Sequence, residues 1–312
     1  MDQYTTTSPI LFLIFNRPDT TLQVFNEIKK ASPPRLYIAA DGPRPEKPGE
    51  AELCEHARVI VENIDWDCQV ETLYQNKNVG CKQAVSSAIT WFFSSEEEGI
   101  ILEDDCLPSA DFFRYCDVML NRYRYDSRVR HIAGANLQLG KKWGEASYYF
   151  ANQTHVWGWA SWRRVWSDYD KDLSKISQQE AYANFDKVFD DPLIAEEWRH
   201  IFNRLMKGSV DTWDYQLAII NFFNNSLSVN PNVNLITNIG CRADGTHTTS
   251  SENPYAKLPG ETLGEIVHPK FMLPERGADY AVFERDFKLI ERRRKNNLLR
   301  RRIKRWFKKQ LN

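Results

Sequence analysis

The first 126 residues switch repeatedly between two hydrophobic periods, and that alternation leaves few folds open. "ILFLIFN" (10–16) is an uninterrupted apolar run that closes on polar residues, and "TTLQVFNEIKKA" (20–31) then places Leu22, Phe25 and Ile28 on one helical face. "RLYIAADG" (35–42) is strand-like, and "EAELCEHARVIVENI" (50–64) is helical through Leu53, Ala57, Ile60 and Val61. "QVETLYQN" (69–76) alternates like a half-buried strand, "GCKQAVSSAITWFF" (80–93) is helical, and "GIILEDD" (99–105) is a fourth strand. "SADFFRYCDVMLNRYRYD" (109–126) closes the series as a helix with Ser109 at its N-cap. Strand–helix repeats of this kind predict an α/β fold, a mostly parallel sheet with helices on both faces. Such a sheet binds ligands beyond the carboxyl ends of its strands.

Each strand ends in polar or charged groups. The first ends in Asn16 and Arg17, and the second in Asp41 and Gly42 with Arg44 nearby. The third is followed by Asn78, Val79, Gly80 and Lys82, and the fourth ends in Glu103, Asp104 and Asp105. In a parallel sheet these ends share one edge, where Arg17, Arg44 and Lys82 would face an anion beside a cation held by the acids.

Beyond residue 126 the alternation fades. "RHIAGAN" (130–136) and "SYYFAN" (147–152) read as short strands, 178–207 as helical and polar, and "VDTWDYQLAIINFFNN" (210–225) as an apolar helix opened by acids. "SVNPNVNLITNIGCRADGTHTT" (228–249) reads as a strand followed by a Gly-rich loop. The expected organisation is one body over 1–285, with a nucleotide-binding half at 8–126 and an acceptor-binding half of more mixed sheet at 127–285. A tail over 286–312 follows.

Three adjacent acids at a strand end repel one another and need a counter-charge. Mg²⁺ and Mn²⁺ take oxygen ligands, and one or two protein carboxylates suffice when substrate phosphates complete the shell. Asp104 and Asp105 supply them, and the ion would neutralise a departing diphosphate. The plainer reading of the triplet is a solvated acidic turn before "LPSADFF".

"ILEDDCLPSADFF" resembles the acidic metal-binding motif of nucleotide-sugar glycosyltransferases of the GT-A fold, nearest to N-acetylglucosaminyltransferase I and bacterial relatives of the glycosyltransferase 2 group. "PILFLIFNRPDTTLQVFNEI" and "IAADGPR" are similar to that family's first two strands, and "NVGCKQAVSSAI" to its donor-binding segment. The resemblance spans most of residues 8–250. It implies a Rossmann-like GT-A sheet with a smaller mixed sheet in the second half. It also implies a metal on Asp105, Asp104 close to the sugar or ribose, and uracil and ribose against Asn16, Arg17 and Asp41.

Inverting transfer requires a carboxylate that takes the acceptor hydroxyl proton. "SVDTWDYQLAII" offers Asp214 and Asp211, and the resemblance, which places the base in such an acidic–aromatic segment, favours Asp214. An Asp near a helix start also favours the macrodipole whatever the function. In "THVWGWASWRRVW", Gly158 permits close backbone approach and flat indoles suit a sugar face. The resemblance puts Trp157, Gly158 and Trp159 over donor sugar and acceptor, while a Trp-rich core is the plainer reading. His247, in a Gly-rich loop, could ligate the metal or steady the diphosphate; the family carries a comparable late His, and a lone His is more often a surface residue.

Charge is asymmetric. Residues 286–312 hold twelve Lys/Arg and two acids, leaving 29 basic and 40 acidic residues before them. "FKLIERRRKNNLLRRRIKRWFKKQLN" reads as a basic amphipathic helix with Leu299, Ile303, Trp306 and Gln310 on one face. That pattern suits an anionic membrane surface, with nucleic acid as the rival partner and a frayed terminus as the plainer reading. No apolar run of about 18 residues is present, so no membrane span is expected. The polar N-terminus reads as no secretory signal. Six cysteines without a CxxC pair point to reduced thiols in the cytoplasm.

The leading expectation is therefore a metal-dependent transferase moving a sugar from a nucleotide diphosphate donor, UDP foremost, to a saccharide or lipid-linked saccharide. It would act in surface polysaccharide synthesis, on the inner face of the membrane and without nucleic acid. Two alternatives stay open. A sugar nucleotidyltransferase generally shows a Gly-rich loop after the first strand, where this chain has "NRPDTT". A non-enzymatic membrane-binding protein leaves the strand-end acids unexplained.

Overall fold

The structure, a computed structural model, describes residues 4–240, 253–256, 258–298 and 304–308. Strands β1 (Ile10–Ile14), β2 (Arg35–Ala40), β3 (Gln69–Tyr74) and β4 (Glu98–Glu103) are joined by helices α1 (Pro18–Ala31), α2 (Glu50–Ile60) and α3 (Cys81–Ser95). β5 (Cys106–Pro108), α4 (Ala110–Tyr123), β6 (Val129–Ala133), β7 (Tyr148–Ala151), β8 (Trp159–Trp162) and α5 (Arg163–Trp166) follow. Then come α6 (Gln178–Val188), α7 (Pro192–Met206), α8 (Asp214–Phe223), β9 (Leu227–Pro231), β10 (Ile236–Asn238), α9 (Arg276–Asp286) and α10 (Leu289–Asn297).

Eight strands form one sheet in the order β3-β2-β1-β4-β8-β6-β9-β7. β1 to β4 are parallel, as the alternation of periods predicts. β8 runs antiparallel between β4 and β6, β9 is parallel to β6, and β7 closes the edge antiparallel. The second-half strands are thus fused to the first-half sheet, giving a Rossmann-like, mostly parallel architecture. A separate two-stranded antiparallel sheet pairs β5 with β10. The chain around Gly158, which carried no strand signal, supplies β8 and α5.

Every residue of β1 is buried because both sheet faces are covered. Ile10, Phe12 and Ile14 pack with Phe25 of α1, Ala57 of α2 and Phe112 of α4. Leu11 and Leu13 point the other way, into Phe92 of α3 and the indoles of Trp159, Trp166 and Trp213. A third core joins α6, α7 and α8 through Phe185, Trp198, Phe202 and Ile219, and receives Phe283 of α9 and Leu289 of α10. Ser109 does sit at the N-cap of α4 with extended backbone, but its hydroxyl makes no cap bond.

The tail differs from the single helix expected over 286–312. α10 ends at Asn297, where Leu298 turns extended (φ −59°, ψ 132°), and 304–308 form a separate helical turn. Because Leu289 is fully buried, the folded body continues past residue 285. Leu299, Ile303 and Gln310 lie outside the described residues. Cys54, Cys68, Cys81, Cys106 and Cys116 are free thiols. No helix among the described residues is long and apolar enough to cross a membrane.

His131 sits inside β6, stacked on Trp159 with 5.2 Å between ring centroids. Its Nε2–H donates to the His155 carbonyl at 2.8 Å, and Nδ1 has no partner. A proton on Nδ1 would be buried without an acceptor, so burial pushes this imidazole down to about 4. The unfolded chain binds that proton near 6.5, so stability is complete above that pH and is lost as pH falls from 6.5 towards 4. The loss amounts to about 3 kcal/mol. His155, also pushed down by burial, adds to this loss, while the raised Asp104 and Asp279 carboxyls oppose it, so the His131 share is read by difference: between pH 7 and pH 4.5 the urea midpoint of His131→Phe, which keeps the stack, should fall less than that of the parent.

Candidate active site

The carboxyl ends of β1 to β4 share one edge, and a cavity of about 590 Å³ opens along it. Its walls include Asn16 and Arg17 after β1, Asp41 and Arg44 after β2, and Gly80 and Cys81 at the start of α3. Glu103, Asp104 and Asp105 at the end of β4 face it, as do Asp211 and Asp214 at the start of α8, together with Trp157, Asn238 and Gly240.

Alternation along β4 directs the acids. Ile101 packs on the α3 side of the sheet and Leu102 on the other, so Glu103 turns towards α3 and α8. Burial, then Asp105, Asp104 and Asp214, hold the Glu103 carboxyl well above the usual range. Burial and Asp105 push Asp104 up to about 7, against the pull of Arg17 and the Phe15 N–H. That N–H donates to Asp104 Oδ2 at 3.1 Å. Arg17 Nη1 donates to Asp105 Oδ2 at 2.8 Å and stands 4.0 Å from Asp104 Oδ1.

Asp105 is fixed through its backbone too. Its carbonyl accepts the Ile239 N–H at 2.8 Å, continuing the β5–β10 register. A Cβ on Gly240 would lie 2.1 Å from Asp105 Oδ2, so only glycine lets the chain leaving β10 pass this carboxylate. Among the described residues no group of three or more His, Cys, Asp or Glu is disposed to enclose a metal. The donor set here is oxygen-only, and burial with crowding raises the proton affinities of Glu103 and Asp104. It fits a hard divalent cation that keeps water or phosphate oxygens in its shell, and not a closed protein site.

The other expected residues divide. Asn16 Nδ2 donates to Glu50 at 2.9 Å while lining the cavity. Asp41 accepts the N–H groups of Gly42 at 2.8 Å and Val79 at 3.0 Å, and Asn78 Nδ2 at 2.9 Å. Its carboxyl is raised by burial despite those bonds. Arg44 lines the cavity but is paired with Glu50. Lys82 does not face the cavity as expected: its ammonium meets Asp172 at 2.7 Å.

Trp157 lines the cavity, edge-on to Tyr255, but its neighbours do not join it. Trp159 is 1% exposed and stacked between His131 and Trp213 as core. Gly158, at φ +55°, packs against Ile236, and its carbonyl accepts the Gly134 N–H at 2.7 Å. A pleated strand sends alternate side chains to opposite faces, so Trp157 and Trp159 could share a surface only if both belonged to β8, which starts at Trp159. His247 lies outside the described residues.

The two candidate bases have different duties. Asp211 accepts the N–H groups of Cys81 at 2.9 Å and Lys82 at 3.0 Å, closing the N-terminus of α3 from 130 residues away. Gly80 permits this: its φ is +86°, and a Cβ there would lie 2.8 Å from Asp211 Oδ2. Asp214 is the first residue of α8 and accepts only the Thr212 hydroxyl among the hydrogen bonds described. Glu103 facing Asp214, Asn238 and Gly240 were not singled out by the sequence. The apolar-then-acidic register of β4 and the "NIG" after "LIT" were the available signals.

No family model matches this chain, and no curated protein is similar to it. Among solved structures it is similar to apo-UDP-glucose pyrophosphorylase and to the same enzyme complexed with UDP-glucose. Each is 10% identical, with 72% of this chain and 90% of that chain covered, at a TM-score of 0.38. It is also similar to 4-diphosphocytidyl-2C-methyl-D-erythritol synthase from Anaerococcus prevotii, at 12% identity, 55% and 79% coverage and a TM-score of 0.32. Likenesses this distant carry no argument, and the fold rests on the sheet order itself.

Asp211→Ala should remove the acceptor for two α3 amides and cost about 1–2 kcal/mol. Asp214→Asn should stay within about 0.5 kcal/mol of the parent. Paired urea titrations separate the two.

Proposed function

We propose that this chain is a GT-A glycosyltransferase. It would use Mn²⁺ or Mg²⁺ to transfer a sugar, with inversion, from a nucleoside diphosphate, UDP foremost, to a saccharide acceptor, free or lipid-linked, in surface polysaccharide synthesis. The observation that carries the reading is the placement of Glu103, Asp104 and Asp105 at the mouth of a cavity whose other wall presents Asp214. Asp105 and Asp104 would hold the cation, which when bound supplies positive charge to the diphosphate as the glycosidic bond breaks. Asn16 and Asp41, fixed by their own hydrogen bonds, are the polar groups offered to the nucleoside. Trp157 presents a flat ring to the sugar. Asp214 takes the acceptor hydroxyl proton onto its carboxylate as that oxygen attacks the anomeric carbon, and Thr212 orients it. Asp211 acts as a positioning residue, holding the start of α3 against the segment that leads into α8 and Asp214.

Sugar nucleotidyl transfer is the competing reading, since it too uses a nucleotide-binding parallel sheet. It calls for a triphosphate cradle after β1. The loop there is only Phe15, Asn16 and Arg17, without glycine, and Arg17 is already on Asp105.

A thermal shift screen with UDP, GDP, TDP and CMP, with and without Mn²⁺, should give metal-dependent stabilisation by one nucleotide. Asp105→Asn should abolish it. Asp214→Asn should keep the shift while sugar-nucleotide turnover falls about 10²–10⁴-fold. Pyrophosphate release from UTP and a sugar 1-phosphate, with no turnover of UDP-sugar, would give the function to the competing reading.

A further inference from the structure

The two ends of α9 meet different surroundings. At its C-terminal end Asp286 accepts the Tyr255 hydroxyl at 2.8 Å, and Tyr255 stands edge-on to Trp157 in the cavity wall. At its N-terminal end Arg276 reaches Asp190 at 3.4 Å, and the adjacent Asp191 takes Arg293 of α10. Arg292 spans Glu196 and Glu197 at 2.9 Å each. These acids clamp the α9–α10 hairpin to the start of α7. Arg305 Nη2 donates to the Asn296 carbonyl at 2.9 Å, which ties the 304–308 turn to α10 one turn beyond Arg293.

Large apolar side chains stand exposed on these segments: Leu273 at 71% and Phe271 at 67% just before Arg276, and Trp306 at 59% and Phe307 at 56% in the turn held by Asn296. Cations are interleaved with them. Lys270 lies over the Phe271 ring at 5.4 Å, exposed Lys304 and Lys308 flank Trp306 and Phe307 in the chain, and Arg294 and Lys295 are exposed in the last turns of α10. Apolar groups clustered on a surface signal a partner. Aromatic and aliphatic groups mixed with Lys and Arg match the boundary of an anionic bilayer, where hydrocarbon takes the side chains and lipid phosphates take the charge.

We propose that this end of the molecule, built from Phe271, Leu273, Trp306 and Phe307 with the surrounding cations, docks on an anionic lipid surface. Nucleic acid would use the cations and rings but gain nothing from Leu273. The charge distribution orients the molecule. The first 285 residues carry 29 basic and 40 acidic groups and are repelled by anionic lipid, whereas the last 27 carry twelve and two. The length of α9, eleven residues or about 16 Å, separates the docking face from the cavity wall. This inference does not depend on the reaction proposed above.

The test is co-sedimentation of the full chain with vesicles of phosphatidylcholine, with and without about 30 mol % phosphatidylglycerol. Binding should require the anionic lipid and weaken with salt. Phe271→Ser/Leu273→Ser and Trp306→Ser/Phe307→Ser should each lower the partition coefficient about fivefold or more, with unchanged thermal midpoints. Unaltered partition of the Phe271/Leu273 variant, equal binding to neutral vesicles, or release from vesicles by a duplex oligonucleotide would each overturn the proposal.

Discussion

The crowding of three carboxylates at the end of β4 governs the arrangement around it. Coulomb repulsion among Glu103, Asp104 and Asp105 in a desolvated edge is costly. The chain offsets it with nearby groups: the Arg17 guanidinium on Asp105, the Phe15 N–H on Asp104, and a raised proton affinity at Glu103 and Asp104. The short β1–α1 loop delivers Phe15 and Arg17 to those acids. The chain leaving β10 passes so close that Gly240 alone fits beside Asp105. In the proposed reading, a cation bound at this edge would relieve the same crowding.

The second half of the chain completes the same edge. β8 runs antiparallel beside β4, so residues just before its start, Trp157 among them, arrive at the carboxyl ends of the parallel strands. Burial of Trp159 and Trp213 in the α3-side core fixes that approach. Asp211 then ties the segment before α8 to the first turn of α3. Both halves of the cavity are held by contacts that cross from one half of the sequence to the other, the indoles buried and the Asp211 bonds exposed.

Much of the architecture was legible because it is local. The continuous apolar runs of β1 and β4 and the helical spacing of α1 to α4 each state their own periodicity, and a parallel sheet puts their polar ends together without further information. The acids of 103–105 followed from that placement. What sequence reading could not supply was partners at long range. Lys82 reads as an anion-binding cation until Asp172, 90 residues away, is found on it. Arg44 is held by Glu50 in the same way. Asp211 and Asp214 look equivalent three residues apart, and only the contact with α3 separates them. The strand at 159–162 was hidden because buried on both faces, with four indoles nearby, it carries no alternation to detect.

The bond from Asp211 to the amides of residues 81 and 82 also bears on how such a chain can diversify. An acceptor-side segment imported by recombination would bring its own side chain to position 211 and meet a foreign helix start. Unless residues 80–82 travelled with it, the graft would leave two amides unmet, or press a Cβ into a carboxylate. The two sides of the cavity are therefore matched at this contact, and a crossover that separates residues 80–82 from residue 211 would break it.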